Sequence, residues 1–333
     1  MQPAPIYDIW RLLSEPREAV EAEVRATCRT VYLGDNEALT RILGRYKMYV
    51  DTRDIGIASH LMMEGYWEMW VTEAMMRLLR RGAVVADVGA NLGYFTLLMA
   101  DLTGAEGHVL SFEPNPEMAR RLEKSIAVNG FARFTDFYPC GLGREEGWAR
   151  MDVRDDQPGG GRTIPFETAA KSLEPPPQAA PETARGGLSS ALKSFFLGQA
   201  PGDIAAVPEP GPTDEHAEPA GAVRILRFDA LPHAREVEFM KIDVEGFEPQ
   251  VWEGMTGRLE NYALPLTIFM EFTIERLADP RGFLERILSW GFSLEIITFT
   301  EGVKAITPEE LFSGPHNVDH MLVLRREARG TGD

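Results

Sequence analysis

The stretch AVVADVGANLGYFTLLMADL, Ala83 to Leu102, narrows the possible folds more than any other part of the sequence. An aliphatic run ends on Asp87, the chain crosses Gly89 and Gly93 within five positions, and a second apolar run follows with helical spacing. That pattern predicts a buried strand, a tight turn and a helix. The unit then recurs. HVLSF (108–112) is an apolar strand, and NPEMARRLEKSIAVNG is a helix with Asn115 as N-cap, Pro116 at its first position, Met118, Leu122 and Ile126 on one face, and Gly130 past its end. FTDFYPC (134–140) predicts a third strand, VEFMKIDVEGFE (237–248) one that stops at Asp243, and LPLTIFMEF (264–272) one that ends near Glu271. In ADPRGFLERILSWGF, Asp279, Pro280 and Gly291 bound another helix, and SLEIITF and HMLVLRR close the pattern as strands. Strands that are apolar on both faces and alternate with helices predict an α/β fold, a doubly wound, mostly parallel sheet, with an antiparallel edge from the last two strands.

Residues 1–80 carry helical spacing in YDIWRLLSEPREAVEAEV and in WEMWVTEAMMRLLRRG, the second helix closing on Gly82, and are expected to form a helical cover. From about 155 to 221 the chain is crowded with Pro, Gly, Ala and Glu (EPPPQAAPETARGG, VPEPGPTDEHAEPAG), too little apolar surface to offset ordering entropy. A flexible insertion is expected there, with one helical island, LSSALKSFFLG (188–198).

The 333 residues are 44% hydrophobic, enough for a sizeable core. Acidic residues outnumber basic ones 51 to 34, a formal charge of -17, and this field opposes a grip on phosphate backbones, so nucleic acid is not expected as a partner. Cys28 and Cys140 fall in no metal-binding spacing. No window reaches the ~18 to 20 apolar residues of a membrane span, and the N-terminus lacks a basic segment followed by an apolar one, so the chain reads as cytoplasmic. A homo-oligomer is compatible with the sequence.

In an open parallel sheet, ligands bind beyond the carboxyl ends of the strands where strand order reverses. The glycine turn and Glu113, at the end of the next strand, are therefore the expected binding elements. A dinucleotide needs a glycine near the position of Asn91, and Asp87 would repel its pyrophosphate. A ligand that is cationic and carries no phosphate suits Asp87. S-adenosylmethionine has an ammonium and a sulfonium for Asp87 to face, a carboxylate for helix-start amides, and a ribose diol for Glu113. Gly89 and Gly93 would let the backbone approach it, with Asn91, Tyr94 and Pro114 beside them.

DVGANLGYFTLLMA, GHVLSFEPNP and KIDVEGFEPQVWEGM together resemble the FkbM family of S-adenosylmethionine-dependent methyltransferases, and GYWEMW (65–70) is similar to the segment before that family's first strand. The resemblance covers roughly 60–150 and 223–325. It implies a class I methyltransferase (Rossmann-like) fold with a seven-stranded sheet, Glu68 lying against the cofactor, and methylation of a hydroxyl on a sugar, glycolipid, polysaccharide or natural product. The domain then runs over 81–325, interrupted by 155–221, with 326–333 as a disordered tail. The insertion departs from the family, which crosses from the third to the fourth strand with a short hairpin.

Methyl transfer from a sulfonium is an in-line displacement that needs alignment and, for a hydroxyl acceptor, a general base. In KIDVEGFE, Asp243 is the candidate base or acceptor-orienting residue and Glu245 its neighbour, while Lys241 either shares the site or pairs with Asp243 at the strand end. Glu271, His320 and His60 are weaker candidates to assist, and Tyr66, Trp67 and Trp70 form either a sugar-stacking platform or packing. A divalent ion between Asp243 and Glu271 is disfavoured because Phe272 stands where an amide partner is usual; no metal is expected. Two rival readings stand beside this one: an inactive scaffold on the same fold, and a nicotinamide-dependent oxidoreductase.

Overall fold

A computed structural model describes residues 7–154, 157–165, 221–260 and 264–328. After a helix, α1 (Arg17–Thr27), three strands form an antiparallel meander: β1 (Thr30–Gly34), β2 (Glu37–Ile42) and β3 (Tyr46–Asp51). The cover expected to be helical is therefore mixed. Its signal was local: Gly34, Asp35 and Asn36 take positive φ in succession and fold the first hairpin, and β2 alternates half-buried with buried residues along its length. Helices α2 (Ile57–Met63) and α3 (Met69–Leu78) follow. The second of these stops four residues before Gly82, because Leu79 already turns extended.

The main sheet then begins with β4 (Val84–Val88), α4 (Tyr94–Thr103), β5 (His108–Phe112), α5 (Pro116–Val128) and β6 (Thr135–Tyr138). A side sheet interrupts it, made of β7 (Gly141–Leu142), β8 (Gly147–Arg154), β9 (Gln157–Pro165) and β10 (Ala222–Leu226). The chain returns through β11 (Val237–Ile242), α6 (Glu248–Gly254), β12 (Leu266–Phe272), α7 (Pro280–Ser289), β13 (Ser293–Thr298), β14 (Gly302–Ala305), α8 (Pro308–Ser313) and β15 (His320–Arg326). The sheet order is β14-β13-β15-β12-β11-β4-β5-β6. Seven strands were expected; β14, a short hairpin partner of β13, makes the eighth. Two strands run against the others: β15, between β12 and β13, and β14, which forms the antiparallel edge.

The capping residues act as the sequence implies. Asn115 accepts from Glu117 N at 3.0 Å with Pro116 at the first helical position, and Asp279 accepts from Gly282 N at 2.9 Å. Within the stretch expected to be a flexible insertion, β9 pairs antiparallel with β8, with Arg150 opposite Ile164 and Met151 opposite Thr163. Backbone pairing requires no buried side chains, so a sequence as poor in apolar residues as QPGGGRTIP can still be a strand. The island at 188–198 lies outside the described residues. Arg326, expected to open a disordered tail, is instead buried at the end of β15, and residues 329–333 lie outside the described residues.

The meander is fastened to the main domain through α5. Tyr49 N donates to Ser125 Oγ at 3.0 Å, Lys47 N donates to Asn129 Oδ1 at 3.0 Å, and Asn129 Nδ2 returns a bond to the Lys47 carbonyl. Arg121 and Asp51, 1% and 0% exposed, pair at 2.9 Å across the same junction. Without Arg121, Asp51 keeps Arg53 at 2.7 Å, so its charge stays paired but loses one buried partner. Arg121→Met is thus expected to cost about 1–3 kcal/mol, read as a lower midpoint in urea denaturation.

Candidate active site

Strand order reverses between β4 and β11, where the chain goes to β5 and β6 on one side and returns to β11 and β12 on the other. A cavity of about 330 Å3 opens there, at the carboxyl ends of the central strands. Register places Lys241 beside Asp87 and Asp87 beside Ser111. Asp87 is 1% exposed, and its Oδ2 accepts from Thr96 Oγ1 at 2.6 Å, which is itself 2.9 Å from Ser111 Oγ. Burial raises its pKa, opposed by Lys241 and the Thr96 bond. Asp87 does not line the cavity, and neither does Gly93. Thr96, on the first turn of α4, holds one oxygen of this carboxylate behind the lining residues, and the other, Oδ1, is buried with no hydrogen-bond partner among the described residues.

Above it the turn is held at close quarters. Gly89 has φ +80°, and a Cβ there would lie 1.9 Å from the Asp243 carbonyl oxygen, so this position brings β4 and the end of β11 into contact. Asn91 is also left-handed, and its N donates to Glu113 Oε2 at 2.7 Å; Asn115 N donates to Glu113 Oε1 at 2.8 Å. Both oxygens of Glu113 are thus fixed by backbone amides while each keeps a second lone-pair site for a ligand. Burial pushes its pKa up to about 7, against the pull of those two amides. Gly89, Asn91, Tyr94, Glu113 and Pro114 all line the cavity. The Tyr94 hydroxyl lies 3.0 Å from Thr72 Oγ1.

Lys241, Asp243 and Glu245 form the opposite wall. Lys241 is 2% exposed, donates to Asp243 Oδ2 at 2.8 Å, and sits 4.8 Å from the centre of the Phe95 ring. The strand-end ion pair weighed from the sequence is therefore present, within a cavity-lining group. Burial would pull the Lys241 ammonium down, but Asp243 and Asp87 more than reverse this and hold it above its usual value. Glu245 takes φ +57°, a costly conformation for a residue with a side chain, and pairs with Arg276 at 2.9 Å. Glu248 faces away from the cavity and accepts from Val244 N and Gly246 N, each at 3.1 Å, which closes the turn.

Arg276 and Asp319 complete this end, and the sequence reading had singled out neither. Arg276 Nη1 reaches Glu271 Oε2 and Glu245 Oε2, both at 2.9 Å, and its Nη2 lies 3.3 Å from Asp319 Oδ1. A charged residue four positions after the end of an apolar strand was the available signal for Arg276. On the cover side Asp54, Ile57, Trp67 and Glu68 close the cavity. Asp54 accepts from Gly56 N at 2.8 Å. Glu68 is left-handed (φ +38°), half-buried, and without a hydrogen bond or ion pair from any described side chain; burial, then Asp243, pushes its pKa up to about 7. Of the three aromatic candidates only Trp67 lines the cavity, tilted against His60 at 5.3 Å. Tyr66 meets Arg25 and Trp70 meets Phe299. His60 and His320 are not part of the lining.

Seven carboxylates and two cations therefore face one cavity among the described residues. Such a lining repels phosphates and favours a ligand of net positive charge.

The family described as the Methyltransferase FkbM domain matches residues 87–293. The chain is similar to the protein-L-isoaspartate O-methyltransferase of Ignicoccus hospitalis, 42% identical over 57 residues, which is 17% of this chain and 27% of that protein. It is also similar to methyltransferase sdnD of Sordaria araneosa, 24% identical over 208 residues, 60% of this chain and 73% of that one. Among solved structures, methyltransferase FkbM from Methylobacillus flagellatus aligns with a TM-score of 0.40 and 14% identity over 74% of this chain and 45% of its own. The chain thus spans about a quarter of the first relative's length and under half of that crystal structure.

Proposed function

This chain belongs to the FkbM methyltransferase family, and from that premise we propose that it transfers the methyl group of S-adenosylmethionine to a hydroxyl of a sugar, glycolipid, polysaccharide or natural product. The observation that carries the reading is Glu113: a carboxylate with each oxygen fixed by one turn amide, at the end of the strand beside the glycine turn. Its remaining lone pairs suit a ribose diol, and Pro114 and Asn115 continue the wall beside it. The excess of carboxylates suits the cofactor's cationic end, with Glu68 and Asp243 as the groups that face it in place of the buried Asp87.

When bound, S-adenosylmethionine supplies a methyl carbon on a positively charged sulfur that departs as a neutral thioether. This chain's residues orient the acceptor and take its proton. Lys241 engages Asp243 Oδ2, so the carboxylate is fixed and Oδ1 can receive the hydroxyl proton as the oxygen–methyl bond forms and the carbon–sulfur bond breaks. Glu245, held by Arg276, orients the acceptor beside it.

Isothermal titration with S-adenosylmethionine tests the reading. Because Glu113 and Glu68 are both pushed up to about 7, a cationic ligand binds the form that prevails above that pH. Affinity is expected to tighten about tenfold or more from about pH 6 to about pH 8. The unliganded fold moves the other way: a Glu whose folded pKa lies above its unfolded value keeps a proton the unfolded chain has released. Stability therefore falls as pH rises from about 4.5 to about 7. No heat of binding at any pH would remove the cofactor assignment.

A further inference from the structure

Both cations that face the cavity among the described residues are already engaged. Lys241 is bonded to Asp243 and packed against Phe95, and Arg276 is shared by Glu245, Glu271 and Asp319. Three carboxylates around one guanidinium leave negative charge uncompensated, and each keeps lone pairs after its bond to Arg276. Burial first, then the charges of Asp243 and Glu245, pushes Glu271 up to about 10, so it holds a proton at neutral pH, and burial and the repulsion of Asp243 raise Glu245. An anionic acceptor would add to that repulsion and find no unengaged cation. A neutral polyol would leave it unchanged. An ammonium group would relieve it and donate hydrogen bonds to the carboxylate oxygens of Glu245 and Asp319 and to the carbonyl oxygen of the Glu271 acid.

We infer that the methyl acceptor is a hydroxyl compound that also bears a protonated amine, its ammonium seated against Glu245, Glu271 and Asp319 and its hydroxyl toward Asp243. This assignment rests on the methyl-transfer reading above. In the transfer the ammonium keeps its proton and its charge; the hydroxyl oxygen gains the methyl group and loses its proton to Asp243.

The test uses the full chain, S-adenosylmethionine bearing a trideuterated methyl group, and a small-molecule extract of the cells that make the protein. Labelled products are separated by capillary electrophoresis at neutral pH and identified by mass. A labelled product that migrates as a cation, and whose kcat/KM falls about tenfold or more in Glu245→Gln while the S-adenosylmethionine Kd stays within about twofold, supports the proposal. A labelled product that migrates as a neutral or anionic species overturns it and leaves methyl transfer intact. A cationic product that Glu245→Gln makes at the wild-type rate also overturns it. Cofactor binding with no labelled product in any fraction overturns the methyl-transfer reading itself, and the acceptor assignment with it.

Discussion

Gly89→Ala is expected to lower the melting temperature by about 6–12 °C, equivalent to about 3 kcal/mol, and to abolish S-adenosylmethionine binding at the same time. Two costs combine. The new Cβ would have to sit 1.9 Å from the Asp243 carbonyl oxygen and 2.9 Å from its carbon, which is backbone and cannot swing aside as a side chain can. The φ of +80° is itself unfavourable for alanine. Relief requires β4 and the end of β11 to separate, and Glu113, Asn91, Lys241 and Asp243 are distributed across that seam. Gly93→Ala makes the instructive comparison: its Cβ would meet the tip of Leu122, a flexible side chain, at 2.2 Å. Its φ of +93° still carries a conformational penalty, but the seam is undisturbed, so cofactor affinity should survive better than stability. Differential scanning fluorimetry and titration calorimetry on the two variants separate these effects.

Glu113→Gln is expected to weaken S-adenosylmethionine by about 100-fold or more and to flatten the pH dependence of its affinity between about pH 6 and about pH 8. The change is nearly isosteric, so packing is preserved. Yet Glu113 accepts at both oxygens, and glutamine offers one acceptor and one donor; whichever way the amide turns, an N–H is directed at the Asn91 or the Asn115 backbone N–H. A buried donor left facing a donor costs about 1–3 kcal/mol. The ribose diol also loses its charged acceptor, worth about 1.5–3 kcal/mol per hydrogen bond. Since burial is what pushes Glu113 up to about 7, its removal takes away a titration that governs affinity near neutral pH. Unchanged affinity in this variant would remove Glu113 from the binding site.

The central sheet was legible because its strands are apolar on both faces and its helices carry explicit punctuation, Asn115-Pro116 and Asp279-Pro280 above all. The acids at strand ends were legible for a related reason: a charge that terminates a buried strand is conspicuous against its apolar neighbours. What a strand-end acid faces was less legible. Register pairs Asp87 with Ser111, so Glu113 stands two residues further along its strand, past the end; Asp87 is bonded to Thr96 behind the lining while Glu113 is part of it. Arg276 and Asp319 lay outside any motif, since they meet Glu245 and Glu271 only after the chain has folded. The meander at Thr30–Asp51 was hidden because its strands are short, one-sided and embedded between helical segments, so the helical period dominated the reading.

The attachment of the meander to α5 bears on how the protein can be cut down. Ser125 and Asn129 complete the edge of β3, and the same helix places Leu122 against the Gly93 turn. A fragment starting at residue 81 would keep every strand of the large sheet but would leave Arg121 without Asp51 and strip Asp54, Ile57 and Glu68 from the chamber. The N-terminal quarter is therefore masonry and not a detachable shutter: engineering that trims it forfeits the room in which the chemistry takes place.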